Sequence, residues 1–474
     1  MRTLQLAVWL ALSPSLVLAQ MRPQPAAPTP FAPELVRQLE ALRDAALASD
    51  YAYHQLAYLT ENIGARPTGS PQADAAAHYV GATMGALGLD VKLEEVTVPH
   101  WVRGAETAEL VDWRDHLKGT TQKIVVTALG GSTATPADGL TAEVVTVENY
   151  DLLKALGKEK VAGKIVLFNE KFDAQKASSG RWDAAYDEAV QYRSGGAKAA
   201  AELGAVAALV RSVGGADFRL PHTGYSAPAG IPAGAVTAED AETIVHLARQ
   251  GAVRMRLTLT PQLLPDVTGY NVIADLKGSE HPEQIVIVSG HLDSWDLGTG
   301  AIDDGAGVVI AMGAVQLMQE LHLRPKRTIR MVAWMNEETG SRGAKVYTKA
   351  REAEAAQHIA AIESDLGAGH PLGFDAKVSA AAIATLQPMA SVLAPIGANL
   401  MTPSADDVAA DIAPLAALGV PTFGEAQDGR IYFNYHHTPA DTLDKVVPRE
   451  LRENVAAMAV LAYTLAEIPD PLPR

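Results

Sequence analysis

Between Gly290 and Gly307 the chain reads GHLDSWDLGTGAIDDGAG. One histidine (His291) and four aspartates (Asp293, Asp296, Asp303, Asp304) crowd this stretch, with no Lys or Arg among them. Like charges this close repel, and burying any of them without a partner is costly. A cation that the sequence does not encode would hold them together. Three later stretches repeat the theme: NEETGSRGA with Glu337 and Glu338, ESDLGAG with Asp365, and YHHTPADT with His436 and His437. Imidazole with carboxylate is a donor set suited to zinc and other borderline divalent ions. His291, Asp303, Glu338, Asp365 and His437 are too many donors for one tetrahedral site with an open position. They suit two ions that share one bridging carboxylate.

The elements around these residues explain how they meet. From TGYNVIADLKG onwards the pattern is strand, loop, helix, repeated. QIVIVSG leads into the acidic loop and the helix VVIAMGAVQLMQEL; TIRMVAWM precedes NEETGSRGAKVYTKARE; IAAIES precedes DLGAG; LGVPTFGE leads to NYHHTPADT and a final helix. Such alternation predicts an α/β fold, a mostly parallel sheet flanked by helices. Ligands gather in these sheets beyond the carboxyl ends of the strands, where every acidic or histidine cluster here falls. The N-terminal region reads as two helical stretches followed by a strand, DVKLEEVTVPHWVRG. From about Lys123 to Pro261 the texture changes to short strand-like runs between Gly-rich turns, with an Ala-rich helix at SGGAKAAAELG. This segment reads as a separate β-rich module without catalytic groups, suited to a lid or a dimer surface.

Each residue also has a plainer role open to it. A lone histidine at a strand end is commonly a structural hydrogen-bonding group, and Asp304 before GAGVVIAM can cap that helix. The clustering argues against such roles for all five at once. Asp293, two residues beyond His291, can accept the other ring N–H of that histidine and fix its tautomer. Glu337, beside a candidate ligand, is placed to take a proton from metal-bound water. Of His436 and His437 only one is expected to be a ligand, because adjacent residues usually point apart.

Composition sets the outer limits. The chain has 474 residues, 48% hydrophobic and 20% charged, enough for a large core and two domains. Its net charge of -16 and lack of any dense basic run exclude nucleic acid as an expected partner. Having no cysteine excludes thiolate catalysis, thiolate zinc sites and disulfides. The start, MRTLQLAVWLALSPSLVLAQ, reads as an export signal, with Arg2, an apolar run, and Val17 and Ala19 before the cleavage point, for a secreted or periplasmic protein. No later segment offers about eighteen uninterrupted apolar residues, so the mature chain is not expected to span a membrane.

The four acidic motifs, with VPHWVRG (Val98 to Gly104), RSVGG (Arg211 to Gly215) and RLPHTGY (Arg219 to Tyr225), resemble the M28 family of co-catalytic zinc peptidases over nearly the whole mature chain. The resemblance implies a zinc exopeptidase fold with an inserted protease-associated domain. The expected divisions are a signal peptide at 1–19, a peptidase domain at 20–119 and 263–474, and the insert at 120–262. It implies two Zn2+ per chain: His291, Asp303 and Asp365 on one, and Asp303, Glu338 and His437 on the other. Asp303 bridges, Glu337 acts as general base on a metal-bridging water, and the Asp303–Asp304 peptide bond is cis. The ligand in YHHT is the histidine before Thr, which selects His437. Relatives of this kind cut dipeptides or short peptides and often form homodimers. Near DDVAADIAPLAALGVP the match loosens: Asp411 aligns best, Asp406 and Asp407 compete, and the region is expected to face substrate. Two other readings stand beside the exopeptidase: a glutaminyl cyclase with a single zinc, and a non-catalytic binding protein. Amino- or carboxypeptidase polarity stays open; Arg342 is the one cation beside the ligand loops.

Overall fold

The computed structural model describes residues 30–214 and 218–473. The expected export signal at 1–19 therefore lies outside the described residues. The body of the chain is an eight-stranded sheet. Its strands are β1 (Asp90–Val102), β2 (Gln262–Leu276), β3 (His281–His291), β4 (Arg327–Trp334), β5 (His358–Glu363), β6 (Pro371–Lys377), β7 (Leu400–Pro403) and β8 (Thr422–Gln427). They lie side by side in the order β1-β2-β4-β3-β5-β8-β6-β7. The four central strands, β4, β3, β5 and β8, are parallel neighbours. β1 pairs with β2 antiparallel, as do β2 with β4 and β8 with β6. The parallel arrangement is thus confined to the centre and to the β6–β7 pair at one edge.

The burial follows from the sequence. Ile285 to His291 are all buried, as a strand covered on both faces requires, whereas β1 alternates buried and exposed positions along Glu94–Val98. Helix α3 (Ala306–Glu320), which comes after α1 (Pro71–Ala86) and α2 (Trp182–Glu202) in the chain, is apolar nearly all round and packs against β3, the helix α4 (Pro448–Glu467), and β4. The stretch Ala301–Glu320 is long and apolar enough to cross a membrane, yet 94% of its apolar window is buried inside the protein. That places it as the core helix of the fold.

A second eight-stranded sheet occupies the chain between Glu106 and Leu259. It begins earlier than the expected boundary at 120, because the strand Glu106–Asp112 pairs with Arg254–Leu259 and Gln122–Ile124. It is also less purely β than its Gly-rich turns suggest. Leu140–Val147, Ile165–Phe168, Ala207–Arg211 and Ala233–Val236 run parallel, and helices connect them. The Ala-rich segment read as a helix is the end of a longer one, α2 (Trp182–Glu202).

Candidate metal centre

Five strand or loop ends of the body sheet converge. His291 closes β3, and Asp303 lies between β3 and α3. Glu337 and Glu338 follow β4, Asp365 comes two residues after β5, and His437 lies in the loop beyond β8. His291 Nε2 stands 3.2 Å from Asp303 Oδ1 and 3.3 Å from Asp365 Oδ1. His437 Nε2 stands 3.0 Å from both Asp303 Oδ2 and Glu338 Oε2. The two oxygens of Asp303 are therefore divided between two donor groups. Within each group the ligand atoms lie within 4.8 Å of one another. The Asp303–Asp304 bond is cis, as the resemblance implied.

The electrostatics fit a bound dication. Burial is the main influence on Glu337 and pushes its carboxyl well above the usual range. Burial raises Glu338 to about 7, against the pull of His437. For His437 burial works downward, but Glu338 and Asp303 outweigh it and lift the imidazole to about 9. The buried Glu338 Oε1 has no hydrogen-bond partner among the described residues. Hard carboxylates with borderline imidazoles, close together and short of positive charge, are what a pair of divalent ions would complete.

Several supports were not legible as such. Asp293 does orient His291, but through its backbone: His291 Nδ1 faces the Asp293 carbonyl oxygen at 2.9 Å. The expected role for its carboxylate is corrected. Asp293 Oδ1 instead accepts the backbone N–H groups of Asn336 (2.7 Å) and Glu337 (3.1 Å), and Oδ2 accepts the Thr68 hydroxyl (2.5 Å). The loop after β4 turns two backbone N–H groups toward this carboxylate, and the ring N–H of His291 is left to the Asp293 carbonyl. Asp304 does cap α3, as its place before GAGVVIAM allowed: it accepts the N–H of Gly307 and also that of His291, both at 2.9 Å. Cations do reach the acidic loop from far away in sequence. Arg66 donates to the carbonyls of Leu292, Thr299 and Gly300, and Arg103 pairs with Asp296 at 2.7 Å. Asp441 holds the N–H groups of Ala301 and Ile302, both at 2.8 Å.

The second unit reaches the centre as well, through groups that orient the histidines, a role the sequence did not suggest. The Thr223 carbonyl faces His437 Nδ1 at 3.3 Å, and the Thr223 N–H donates to the His437 carbonyl at 2.9 Å. Arg193 on α2 stands 3.2 Å from the same ring nitrogen and donates to the Tyr186 hydroxyl at 2.7 Å. His222 Nε2 lies 3.1 Å from His436 Nδ1. RLPHTGY carried this signal, but nothing in its spacing linked it to YHHT. The two adjacent histidines do not point apart either. His437 has φ 59°, and this left-handed backbone brings the rings into a stack 3.6 Å apart. His436 Nε2 consequently stands 3.4 Å from Asp303 Oδ2.

Two cavities flank the centre. One, of about 330 Å³, is lined largely by apolar side chains including Trp101, Tyr225, Trp295 and Leu263, with Glu338 on its wall. Arg342 lies at this cavity but pairs with Asp266 at 2.9 Å and the Thr97 carbonyl at 3.1 Å. The other, of about 740 Å³, adjoins Asp365 and includes Asp406 and Asp407. Asp411 is fully buried behind it, its N–H donating to Glu363 Oε1 at 3.3 Å.

Parallel strand ends carrying two carboxylate–imidazole donor groups define a metallohydrolase-type centre, and the comparisons with known proteins agree. Residues 271–462 match the model of Peptidase family M28. The chain is 36% identical to carboxypeptidase Q of Bos taurus over 433 residues, covering 90% of this chain and 88% of that protein. The same figures describe carboxypeptidase Q of Homo sapiens. The crystal structure of a peptidase M28 precursor from Shewanella amazonensis SB2B superposes with a TM-score of 0.87 at 38% identity, covering 93% of this chain and 98% of that one. A zinc aminopeptidase from Bacillus subtilis, at 19% identity and TM-score 0.64, shares the fold over 89% of this chain and 98% of that one. The chain belongs to peptidase family M28. It is an enzyme of that family, homologous to carboxypeptidase Q.

Proposed function

We propose that this chain is an exported two-zinc exopeptidase that hydrolyses dipeptides or short peptides. The observation that carries this reading is the division of Asp303 between His291 and Asp365 on one side and Glu338 and His437 on the other. One zinc ion would be held by the first triad and one by the second, supplying Lewis acidity for the scissile carbonyl and lowering the pKa of the attacking water. Glu337 accepts that water's proton and delivers it to the amine nitrogen as the C–N bond breaks. Burial raises the proton affinity of Glu337, with Asp365 and Glu338 adding to it against the pull of His291; two dications beside it would lower that affinity and leave a carboxylate able to accept the proton. Asp293 positions Glu337 through the backbone N–H rather than touching substrate. Thr223 and Asp293 direct the Nε2 atoms of His437 and His291 inward by accepting at Nδ1.

The unit holding the strands from Glu106 to Leu259 would be the protease-associated domain, and the family resemblance supports a homodimer. Metal analysis of protein purified without chelator tests the reading. About two zinc ions per chain, with hydrolysis of free dipeptides, supports it. A single tight zinc with full activity would favour the glutaminyl cyclase. N-terminal sequencing of exported protein should begin at Gln20, and sedimentation should give twice the chain mass.

A further inference from the structure

The cavity of about 740 Å³ beside Asp365 is acidic from both structural units. Asp183 and Asp187, one turn apart on α2, come from the second unit, while Asp375 on β6 and Asp406 come from the body. Among the described residues no Lys, Arg or His lines it, and nearby Lys377 is taken up by Asp407 at 2.7 Å. Glu363, fully buried, also lines it; Oε1 accepts the Asp411 N–H, and Oε2 has no hydrogen-bond partner among the described residues. Asp183 feels burial first and then Asp375 and Asp187, which raise its carboxyl to about 6. Carboxylates that meet across a cavity and repel one another are arranged for a positive guest.

The guest's shape follows from the spacing. Among the described residues, the groups close enough to grip a metal ion are those of the centre and its neighbouring histidines. The cavity's other carboxylates are spread too widely for a bare ion. They suit a charge on a flexible stem. Resting on the peptidase reading above, we infer that this cavity is a subsite for a substrate Lys or Arg side chain, on the residue at the amino side of the scissile bond. The other flank, with Trp101, Tyr225 and Trp295, takes the residue beyond that bond. Its one cation, Arg342, is already paired.

The test uses the full-length, zinc-loaded enzyme and the dipeptides Lys-Ala, Arg-Ala, norleucyl-Ala, Ala-Ala and Glu-Ala. Norleucine keeps the stem of lysine and lacks its charge. The expected result is kcat/KM for Lys-Ala above norleucyl-Ala by about 10- to 100-fold, with Glu-Ala the poorest. Raising the salt concentration should shrink the ratio. The double variant Asp183→Asn, Asp187→Asn should bring it down by about tenfold while zinc content is unchanged. Equal rates for Lys-Ala and norleucyl-Ala in the unaltered enzyme overturn the subsite and leave the peptidase reading standing. Stoichiometric binding of Ca2+ or Mg2+ that the double variant abolishes would also overturn it, as a metal site. Failure of the two-zinc enzyme to cut any of the five counts against the peptidase reading itself.

Discussion

The two histidines of the centre are held in place by different means. His291 is oriented by a carbonyl two residues away in its own loop, at 2.9 Å. His437 is oriented by the Thr223 carbonyl, 214 residues away in the other structural unit, at 3.3 Å, with Arg193 beside it. One half of the centre is therefore built by the body sheet alone, and the other depends on how the second unit docks. Orientation of a metal-binding imidazole by its outer nitrogen matters nearly as much as the ligand itself. The insert is thus a structural part of the site on the His437 side.

The largest effect comes from the residue common to both halves. Asp303→Asn should strip zinc from both triads and lower turnover by more than about 10³-fold. If one zinc survives at full occupancy, Asp303 is not shared. Next, Arg193→Met, which releases the Tyr186 hydroxyl and the Thr223 carbonyl that the guanidinium holds, should weaken the His437 side alone, by about 10–100-fold in affinity for one of two zinc ions, leaving the other tightly bound. Stepwise chelation followed by metal analysis resolves the two. Equal weakening of both ions, or of neither, would break the asymmetry.

Arg66 serves the body's half structurally. Buried among the Leu292, Thr299 and Gly300 carbonyls, it gathers the acidic loop into shape. Arg66→Met should cost about 2–4 kcal/mol of stability by leaving buried carbonyls unpaired. A denaturation midpoint unchanged from the parent would contradict this.

The smallest expected effect is on the pH dependence of the zinc-free protein. Folding raises Glu338 to about 7 and Glu363 to about 8, by burial first in both cases, and His437 to about 9, where Glu338 and Asp303 outweigh burial. The folded protein thus keeps protons that the unfolded chain releases near the ordinary values of 4.5 and 6.5. Where the unfolded state binds fewer protons, stability falls as pH rises. Thermal midpoints of zinc-free protein should therefore decline between about pH 5 and 9. Added zinc, which binds the deprotonated donors, should flatten or reverse that decline. A zinc-free midpoint that rises over this range would contradict the shifts.

How much of this was legible in the sequence depended on distance along the chain. The apolar runs preceding the acidic motifs marked β3, β4, β5 and β8, and those strands bring all five expected donors together. The short strands β6 and β7 were missed: Pro371–Lys377 alternates Leu372, Phe374 and Ala376 with small or charged residues but opens on a proline just after the Gly-rich DLGAG, and Leu400–Pro403 is only four residues long. Local rules also failed where backbone conformation was unusual: the positive φ of His437 stacks two rings that ordinary extended chain would separate. Arg66, Arg103, Arg193 and His222 were invisible as site residues because their partners lie elsewhere in the chain and no spacing encodes the docking.

In the proposed mechanism the adjacent Glu337 and Glu338 divide the work, Glu337 moving the proton and Glu338 holding zinc. Zinc content and turnover of Glu337→Gln and Glu338→Gln, measured side by side, test this division most directly. Glu337→Gln should retain two zinc ions per chain and bind substrate normally while turnover falls by about 10²–10⁴-fold. Glu338→Gln should lose zinc from the His437 side and regain part of its activity in excess metal. If Glu337→Gln empties a metal site while Glu338→Gln keeps both filled, the two roles are reversed and the account of the centre is wrong.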